Sequence, residues 1–590
     1  MTGKVRVSAL VLAAGTLMSV DPTPSYSPQL MAYLDPSTRF ASLCGGKGGR
    51  GMRAQLALAA AIVSKAPAAA KAPPIYDGMG KVNFPVTTSN PKAQAYFDQG
   101  LAFAYGFNHA AAISSFREAQ RRDPDCAMCW WGEAVAHGPN INAPMDAEAN
   151  RQALAAVARA TALAGRSKPA EQALIAAIGK RYSADPKADR AALDAAYADA
   201  MLAAAAAHPA NDDLALLAAE AAMDTKPWDY WQADRRTPNP RIGEAVQLVE
   251  TVLARNADHP QAAHLYIHLM ENGPDPKKAE AAADRLAKPL APTPGHLVHM
   301  PAHIYYRLGR WQDSIKANIA AARADEAWIK QSGDRGMVRF GYYPHNVHFI
   351  VASAQMAGDL PLAIREAKRL EGIVDTETGA KIAWTQAIHA APFFAAAQFA
   401  RPATILAMPA PDPRLTYVTG MRHYARAVAH AQQGDRTGFD KETAALRALA
   451  AAPGLQTMID QGVPARDLLG LAETVARARL ASAAGRHGEA VTLFEQAAAL
   501  EQRIPYMEPP YWYYPVKQSL GAALYRAGRF EEARDAFEGA LAQFPNNGWA
   551  LYGLAAAETR LGHKPQALAA QAALRRAWMG DPNWLRMERL

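Results

Sequence analysis

The sequence predicts an all-α protein built as a solenoid of antiparallel helix pairs. Alanine-rich runs such as MLAAAAA at residues 201–207 favour helices, and β-branched residues are sparse throughout. A pattern of small and large apolar residues also recurs every 34 residues in the best-defined part of the chain, as it does in stacked helical repeats. A chain of 590 residues is too long for one hydrophobic core, and a repeat array accommodates that length.

The repeat is clearest at residues 514–547. Counting Tyr514 as position 1, positions 7, 8, 11, 20, 24, 27 and 32 hold Leu520, Gly521, Leu524, Ala533, Phe537, Ala540 and Pro545. Small residues at positions 8, 20 and 27 let two helices pack closely, large apolar residues fill the space between them, and the late proline ends the second helix. The pattern resembles the tetratricopeptide repeat (TPR) signature at every one of these positions.

The same frame returns at residues 93–126 and 548–581, and weaker units lie at 348–370, 425–439 and 478–500. Between residues 147 and 260 the pattern degrades, although Ala-rich helical periodicity persists. We therefore expect a leader at residues 1–74, N-terminal repeats at 75–262, a histidine-rich centre at 263–378 and C-terminal repeats at 379–590.

Two competing export signals lie near the N-terminus. Residues 1–20 have a basic start and an apolar run, whereas residues 52–72 add Ala-rich cleavage candidates to a Met-Arg start. We favour Met52 as the biological start and a periplasmic or secreted mature protein without a transmembrane segment. The alternative is a cytoplasmic protein with an Ala/Pro-rich leader.

A start at Met52 would exclude Cys44, which leaves Cys126 and Cys129 in the sequence CAMC. In an exported protein this pair favours a disulfide, and a redox CxxC motif is the alternative.

Charge and motifs argue against several kinds of partner. The net charge of +8 is small for this length, and lysines and arginines are scattered among acids, so no nucleic-acid partner is expected. The sequence contains no P-loop, no GxGxxG on a strand and no GxSxG elbow, and we expect no nucleotide cofactor.

Histidines are concentrated in the centre of the chain. Seven of the 16 histidines fall within residues 264–348: His264, His268, His296, His299, His303, His345 and His348. With each turn glycine as repeat position 15, His296, His299 and His303 fall at positions 2, 5 and 9, and His345 and His348 at positions 2 and 5. A register set on Pro260 puts His264, His268 and Glu271 at positions 2, 6 and 9. Positions 2, 5 and 9 line the concave groove of TPR proteins, so the resemblance implies histidines from three successive units in one groove.

Helical spacing makes these histidines candidate metal ligands. His264 and His268 are four residues apart, on one face of a helix, and Glu271 continues that face. A mixed imidazole and carboxylate set suits copper, zinc or iron better than calcium. We also expect burial to keep the imidazoles uncharged unless a metal or an acidic ligand compensates. A metal-free binding or acid–base site and a purely structural role are the alternatives.

Further residues have predicted roles around this cluster. Glu271, His299 and His303 are the candidate catalytic acids, bases or ligands. Tyr306, Arg307 and Arg310 are predicted to line the ligand groove. We expect two aromatic clusters to hold loops against the solenoid: PWDYW (227–231) and YMEPPYWYYPV (506–516). The alternative is that their rings line the walls of the ligand groove. Pro301 is predicted to kink the helix that carries His299 and His303.

Residues 75–590 as a whole resemble a family of exported bacterial TPR proteins, through the blocks CAMCWWGEA…GPNIN, PWDYW, HLYIH, GHLVHMPAHIY, YYPHN and EPPYWYYPV. The resemblance implies the fold but no particular reaction. Two classes of function follow. The first is a scaffold whose groove holds a transition metal, a small molecule, a peptide or a protein partner. The second is a metal-dependent enzyme, either a copper or iron oxidoreductase or a zinc hydrolase.

Overall fold

The computed structural model describes residues 72–590, apart from residues 83, 233, 289 and 383. Within these residues the chain is built of helices, and its extended pairing is limited to two isolated bridges. The predicted all-α solenoid is therefore confirmed. The predicted leader, with Met52 and Cys44, lies outside the described residues except for its last three positions.

The helices follow one another with short connections. The N-terminal helices are α1 Pro91–Tyr105, α2 His109–Arg122, α3 Ala127–His137, α4 Ala147–Leu163, α5 Pro169–Ile178, α6 Arg190–Ala207, α7 Asp212–Asp224 and α8 Ile242–Arg255. The central helices are α9 Pro260–Glu271, α10 Glu280–Leu286, α11 Gly295–His299, α12 Pro301–Arg307, α13 Trp311–Ser332, α14 Tyr343–Ala357, α15 Leu360–Ile373 and α16 Thr376–Lys381. The C-terminal helices are α17 Thr385–Phe399, α18 Pro402–Leu406, α19 Thr416–Gln433, α20 Arg436–Ala450, α21 Gln456–Asp460, α22 Ala465–Ala483, α23 His487–Glu501, α24 Val516–Arg526, α25 Phe530–Gln543, α26 Gly548–Leu561 and α27 Lys564–Ala577.

Two distant repeats show the same contact between a glycine at position 8 and a phenylalanine at position 24. A Cβ added at Gly521 would lie 2.8 Å from the ring of Phe537, and one added at Gly100 would lie 2.7 Å from the ring of Phe116. Both rings are fully buried between the two helices of their unit. Only a residue without a side chain admits this approach, so the spacing predicted from the sequence reflects helix packing.

The turn glycines that set the repeat register have the backbone the turns require. Gly358, Gly528 and Gly562 have φ values of +76°, +79° and +79°. These left-handed conformations end the first helix of each pair and are costly for residues with a Cβ.

The region of degraded pattern, residues 147–260, still forms helices α4 to α8. On α4 the buried face is made of alanines alone, Ala153, Ala156 and Ala160, so the large-residue positions of the repeat are lost on that helix. Two predicted domain boundaries, after residues 262 and 378, fall inside α9 and α16.

The central histidines lie on four helices, three of which, α11, α12 and α14, pack against α13. His264 and His268 lie on α9; His296 and His299 lie on α11, His303 on α12, and His345 and His348 on α14. Met300 keeps helical angles (φ −49°, ψ −40°) between α11 and α12. Because Pro301 has no N–H to donate, the helix is interrupted at this point, as predicted.

A single π-helical turn, Val338–Tyr342, leads directly into α14. Such turns are uncommon and are often found at functional sites. Among the helices of the described residues, we find none with the length and hydropathy that a membrane crossing requires.

Candidate metal centre

Three of the histidines, His264, His268 and His296, converge in one buried group, here called site A. One ring nitrogen of each lies within 4.8 Å of a ring nitrogen of each of the others. The ring centroids of His264 and His268 are 4.8 Å apart, and that of His296 lies 5.1 Å and 5.8 Å from them. Site A thus joins the predicted pair on α9 to the first histidine of α11.

Neighbouring oxygens hold two of these rings in one orientation. His264 Nδ1 lies 2.9 Å from Gln261 Oε1, and His268 Nδ1 lies 2.6 Å from Glu271 Oε1. Gln261 donates its own N–H to Glu220, which fixes its oxygen toward His264. An acceptor at Nδ1 places the imidazole hydrogen there, so the lone pair of each ring is on Nε2.

A second group, His299, His303 and His345, lies beside the first and is here called site B. One ring nitrogen of each again lies within 4.8 Å of the others. The Nε2 atoms of His299 and His303 are only 2.9 Å apart. His299 Nδ1 lies 2.7 Å from Asn318 Oδ1, while the amide of Asn318 donates to the backbone of Ser314.

A buried acidic pair connects the two groups. Glu271 directs Oε1 to His268 of site A and places Oε2 at 2.7 Å from Nδ1 of His303 in site B. His303 Nδ1 donates to Glu508 Oε2 at 3.0 Å. Tyr506 donates to the other oxygen of Glu508, and Arg307 Nε lies 4.0 Å from it. His303 is therefore set between two carboxylates.

Burial determines the charge of most of these groups. It lowers the pKa of His264, His268, His296, His299 and His345, and lowers the pKa of His348 to about 4. Six of the seven imidazoles are therefore neutral at pH 7, as the sequence predicts.

His303 is the exception. Burial alone would lower its pKa, but Glu271 and Glu508 raise it to about 10. The pKa of Glu271 changes in the opposite direction: burial would raise it, and the imidazoles of His303 and His268 lower it to about 2. Burial raises the pKa of Glu508.

Aromatic rings from distant segments cover site A. The ring of His296 is stacked between Phe107 and Tyr342, with centroid distances of 5.2 Å and 4.7 Å. Trp228 packs edge-on against His268 at 5.1 Å. The expectation of an open, histidine-lined groove is corrected here, since these rings and residues 506–508 bury the cluster.

The predicted groove residues have different surroundings. A cavity of about 100 Å³ is lined by Tyr306, Arg307, Tyr506 and Glu508, among others. Arg310 is not part of this lining; it pairs with Glu280, Asp284 and Asp313. His348 is buried on α14 but belongs to neither site A nor site B.

Sequence reasoning did not assign Glu508, Asn318 or Gln261 to the site. Glu508 lies in the aromatic-proline segment that was expected to lock loops, and the bond Glu508–Pro509 is cis. Tyr511, Trp512, Tyr513 and Tyr514 of that segment are indeed buried against the C-terminal helices. The lone acid among these aromatic residues was the available signal.

The two cysteines of CAMC form a disulfide at the start of α3, in agreement with the first of the two interpretations. Both residues are fully buried, and the N–H of Cys129 donates to the sulfur of Cys126. The aromatic cluster at residues 227–231 also locks its loop, because Trp228 and Trp231 donate to the backbone oxygens of Ile141 and Leu269.

Comparison with known proteins supports the repeat family. Residues 524–588 match the family described as tetratricopeptide repeat. No curated protein matches the chain. The human IFIT1 dimer with m7Gppp-AAAA is similar over 83% of this chain and 91% of its own, at 11% identity and a TM-score of 0.28. Yeast Tom70 is similar over 82% of this chain and 92% of its own, at 10% identity and a TM-score of 0.26.

At such TM-scores neither structure is a guide to the superhelical shape or the ligand of this chain. The family match falls on α25 to α27, where the glycine–phenylalanine packing and the left-handed turn glycines also recur. These C-terminal helix pairs match the tetratricopeptide repeat, and the described residues as a whole form an all-α array of helices.

Proposed function

We propose that this protein binds a transition-metal ion at site A through His264, His268 and His296. The observation that carries the proposal is that four of the six ring nitrogens have no hydrogen-bond partner among the described residues: His264 Nε2, His268 Nε2 and both nitrogens of His296. Buried polar atoms are almost always paired. One bound ion would pair a nitrogen of each ring at once.

The contacts around the rings support binding through Nε2. Metal-binding imidazoles usually donate their other N–H to an oxygen, which fixes the ring and increases its basicity. Gln261 and Glu271 accept such hydrogen bonds from His264 and His268.

Backbone strain at two covering residues is a further support. Phe107 and Trp228 have φ values of +54° and +63°, in the left-handed region that bulky residues rarely adopt. Each such residue costs on the order of 1–3 kcal/mol, and strain of this kind concentrates at functional sites. Both rings pack against imidazoles of site A.

The donor set selects the class of metal. Three neutral imidazoles suit zinc, copper or iron, whereas calcium and magnesium prefer oxygen ligands. An ion with three protein ligands also keeps an open coordination position, as catalytic ions do. Metal-dependent catalysis is therefore the second candidate function. Glu271 and His303 would supply acid–base groups, and the neighbouring cavity that Glu508 lines would admit a small molecule.

The solenoid and its leader complete the proposal. Stacked repeats form extended surfaces that suit a peptide or protein partner.

The disulfide supports an oxidising compartment, and hence export to the periplasm or secretion. N-terminal sequencing of the protein recovered outside the cytoplasm would test this, since a mature chain must begin after the leader at residues 1–74. Recovery of the intact chain from the cytoplasm with free thiols at Cys126 and Cys129 would contradict it.

Metal analysis tests the main proposal. The protein, produced without a histidine tag, is stripped with chelator, reloaded with Zn²⁺, Cu²⁺ or Co²⁺, desalted and measured by elemental mass spectrometry. We expect His264→Gln and His296→Gln to lose the ion of site A, and His487→Gln, a change at a half-buried histidine on α23, to keep it. Circular dichroism of the metal-free variants checks that they fold. Wild-type metal content in folded His264→Gln and His296→Gln would refute the proposal.

An activity screen separates the carrier from the enzyme. Oxygen uptake is measured with the copper- or iron-loaded protein and ester or phosphoester hydrolysis with the zinc-loaded protein. Turnover that disappears in His264→Gln supports the metalloenzyme. Stable metal binding without turnover in either assay supports the binding protein.

A further inference from the structure

We infer that site B, formed by His299, His303 and His345, holds a second metal ion, so that the loaded protein contains a two-ion centre joined by the carboxylate of Glu271. This inference rests on the proposed function for the ion at site A; site B itself stands on contacts of its own.

The outer hydrogen bonds of site B assign its tautomers. The amide nitrogen of Asn318 donates to the backbone oxygen of Ser314, so its Oδ1 is the atom that faces His299. Oδ1 therefore accepts a hydrogen bond from Nδ1 of His299. Glu508 accepts at Nδ1 of His303. Both Nδ1 atoms therefore carry hydrogen, and a neutral imidazole of this tautomer has its lone pair on Nε2.

These two lone pairs are directed at each other across 2.9 Å. Two lone pairs at that distance require something positive between them: either an additional proton, which makes one ring an imidazolium, or a metal ion. Two nitrogens, each about 2 Å from one ion, are about 2.9 Å apart when the angle at the ion is about 90°. The spacing therefore fits an ion that replaces the shared proton.

His345 supplies the third ligand. Its ring centroid lies 4.9 Å from that of His299 and 6.1 Å from that of His303, and its ring nitrogen completes the group within 4.8 Å. Site B thus repeats the design of site A. In each site the ring hydrogens of two histidines are held by oxygen acceptors, and a third ring comes from another helix.

Glu271 contacts one histidine of each site. It is fully buried, and its two oxygens lie 2.6 Å and 2.7 Å from Nδ1 of His268 and Nδ1 of His303. Rings of the two sites approach each other closely, with centroids 6.0 Å apart for His268 and His303 and 6.2 Å apart for His296 and His299. A carboxylate that orients one ligand of each ion couples the affinities of the two sites.

The test is the metal stoichiometry of the untagged full-length chain, loaded with Cu²⁺ or Co²⁺ alone after chelator treatment. The wild type should hold two ions, His264→Gln one, His345→Gln one and the double variant none. His487→Gln is the matched control and should hold two. In the doubly loaded copper protein, electron paramagnetic resonance should show dipolar broadening between neighbouring ions, and this broadening should disappear in His345→Gln.

The outcomes separate this inference from the proposed function. A single wild-type ion that His264→Gln removes and His345→Gln leaves would overturn the second site and keep site A. A single ion with the reverse behaviour would overturn site A and keep site B. A second ion lost in Glu508→Gln but kept in His345→Gln would place it between the carboxylates and His303, and would also overturn site B as drawn here. Circular dichroism of each metal-free variant excludes misfolding as the cause.

Discussion

His303 Nδ1 lies 3.0 Å from Glu508 Oε2, although 205 residues separate them in the chain. Glu508 belongs to the segment before α24, so the C-terminal repeats supply a side chain to a cluster built on the central helices. Both residues are buried. The candidate centre is therefore complete only when the two parts of the solenoid are folded against each other.

Replacing Glu508 with glutamine should destabilise the metal-free protein. Glu508 accepts from His303 with one oxygen and from Tyr506 with the other, whereas an amide offers only one acceptor oxygen. The variant loses a hydrogen bond to a charged group, and the new amide N–H faces another donor, either His303 or Tyr506. Together these changes should lower the free energy of unfolding by about 1.5–3 kcal/mol. Urea unfolding of the full chain in chelator measures the change. Glu489→Gln, at an exposed pair with Arg486, is the control and should leave the midpoint nearly unchanged. Equal midpoints for the two variants would contradict the prediction.

Glu271→Gln should weaken metal binding in a way that reports on the coupling. The amide has one oxygen, so it can face either the N–H of His268 or the imidazole of His303 but not both, and at least one site loses the oxygen next to its ligand. Loss of such a partner typically lowers metal affinity about 10- to 100-fold. Competition titration with a chromophoric chelator measures each affinity. Asn318→Leu is the matched variant, and it should weaken site B alone because Asn318 contacts only His299 of the two groups. Unchanged affinities in Glu271→Gln would argue that this carboxylate is only structural.

Gly295→Ala tests the packing beneath site A. A Cβ at Gly295 would collide with the carboxylate of Asp325, which is buried and bonded to Asn346. The clash should displace α11, with its His296, from α13, at a cost of about 1–3 kcal/mol. It should also lower the affinity of site A. Gly372→Ala on α15 is the control: no atom lies within 4 Å of its added Cβ, so it should stabilise the helix by about 0.5–1 kcal/mol. If both variants unfold at the same denaturant concentration, the close approach at Gly295 is unimportant.

Much of this structure follows from sequence, because a TPR unit is a local object. Gly521 and Phe537 lie within one repeat, so the pattern that predicts their packing is visible in a single 34-residue stretch. The pairing of His264 with His268 is equally local, since both lie on one helical face. In contrast, Glu508 reaches His303, and Phe107 and Trp228 cover site A, from segments more than 30 residues away. No spacing rule reaches that far, and for this reason the sequence predicts an open groove where the structure has a buried cluster.

His389 provides a pH test outside the centre. Burial lowers its pKa to about 4, with Asp375 opposing. The ordinary value in the unfolded chain is about 6.5, so between pH 6.5 and 4 the unfolded state binds more protons, and stability falls as the pH falls. The difference of about 2.5 pH units corresponds to about 3 kcal/mol lost between pH 7 and pH 4. His389→Gln should lack this contribution. The free energies of unfolding of the wild type and the variant are measured in chelator at several pH values. The difference between them should change by about 1.4 kcal/mol per pH unit below pH 6. A constant gap would show that His389 does not titrate as its burial requires.

The disulfide Cys126–Cys129 should be a structural clip and not a redox centre. Both sulfurs are fully buried at the start of α3, and the sulfur of Cys126 accepts the N–H of Cys129 where the helix begins. For a loop this short, the chain-entropy model gives a stabilisation of about 2 kcal/mol, and the double variant Cys126→Ala/Cys129→Ala should lose at least that much. Unfolding under non-reducing conditions measures the loss. Because reactive disulfides are exposed, the folded wild type should resist dithiothreitol and release its thiols only when denaturant is added. Rapid reduction of the folded protein, with no change in its unfolding midpoint, would favour the redox interpretation of CAMC instead.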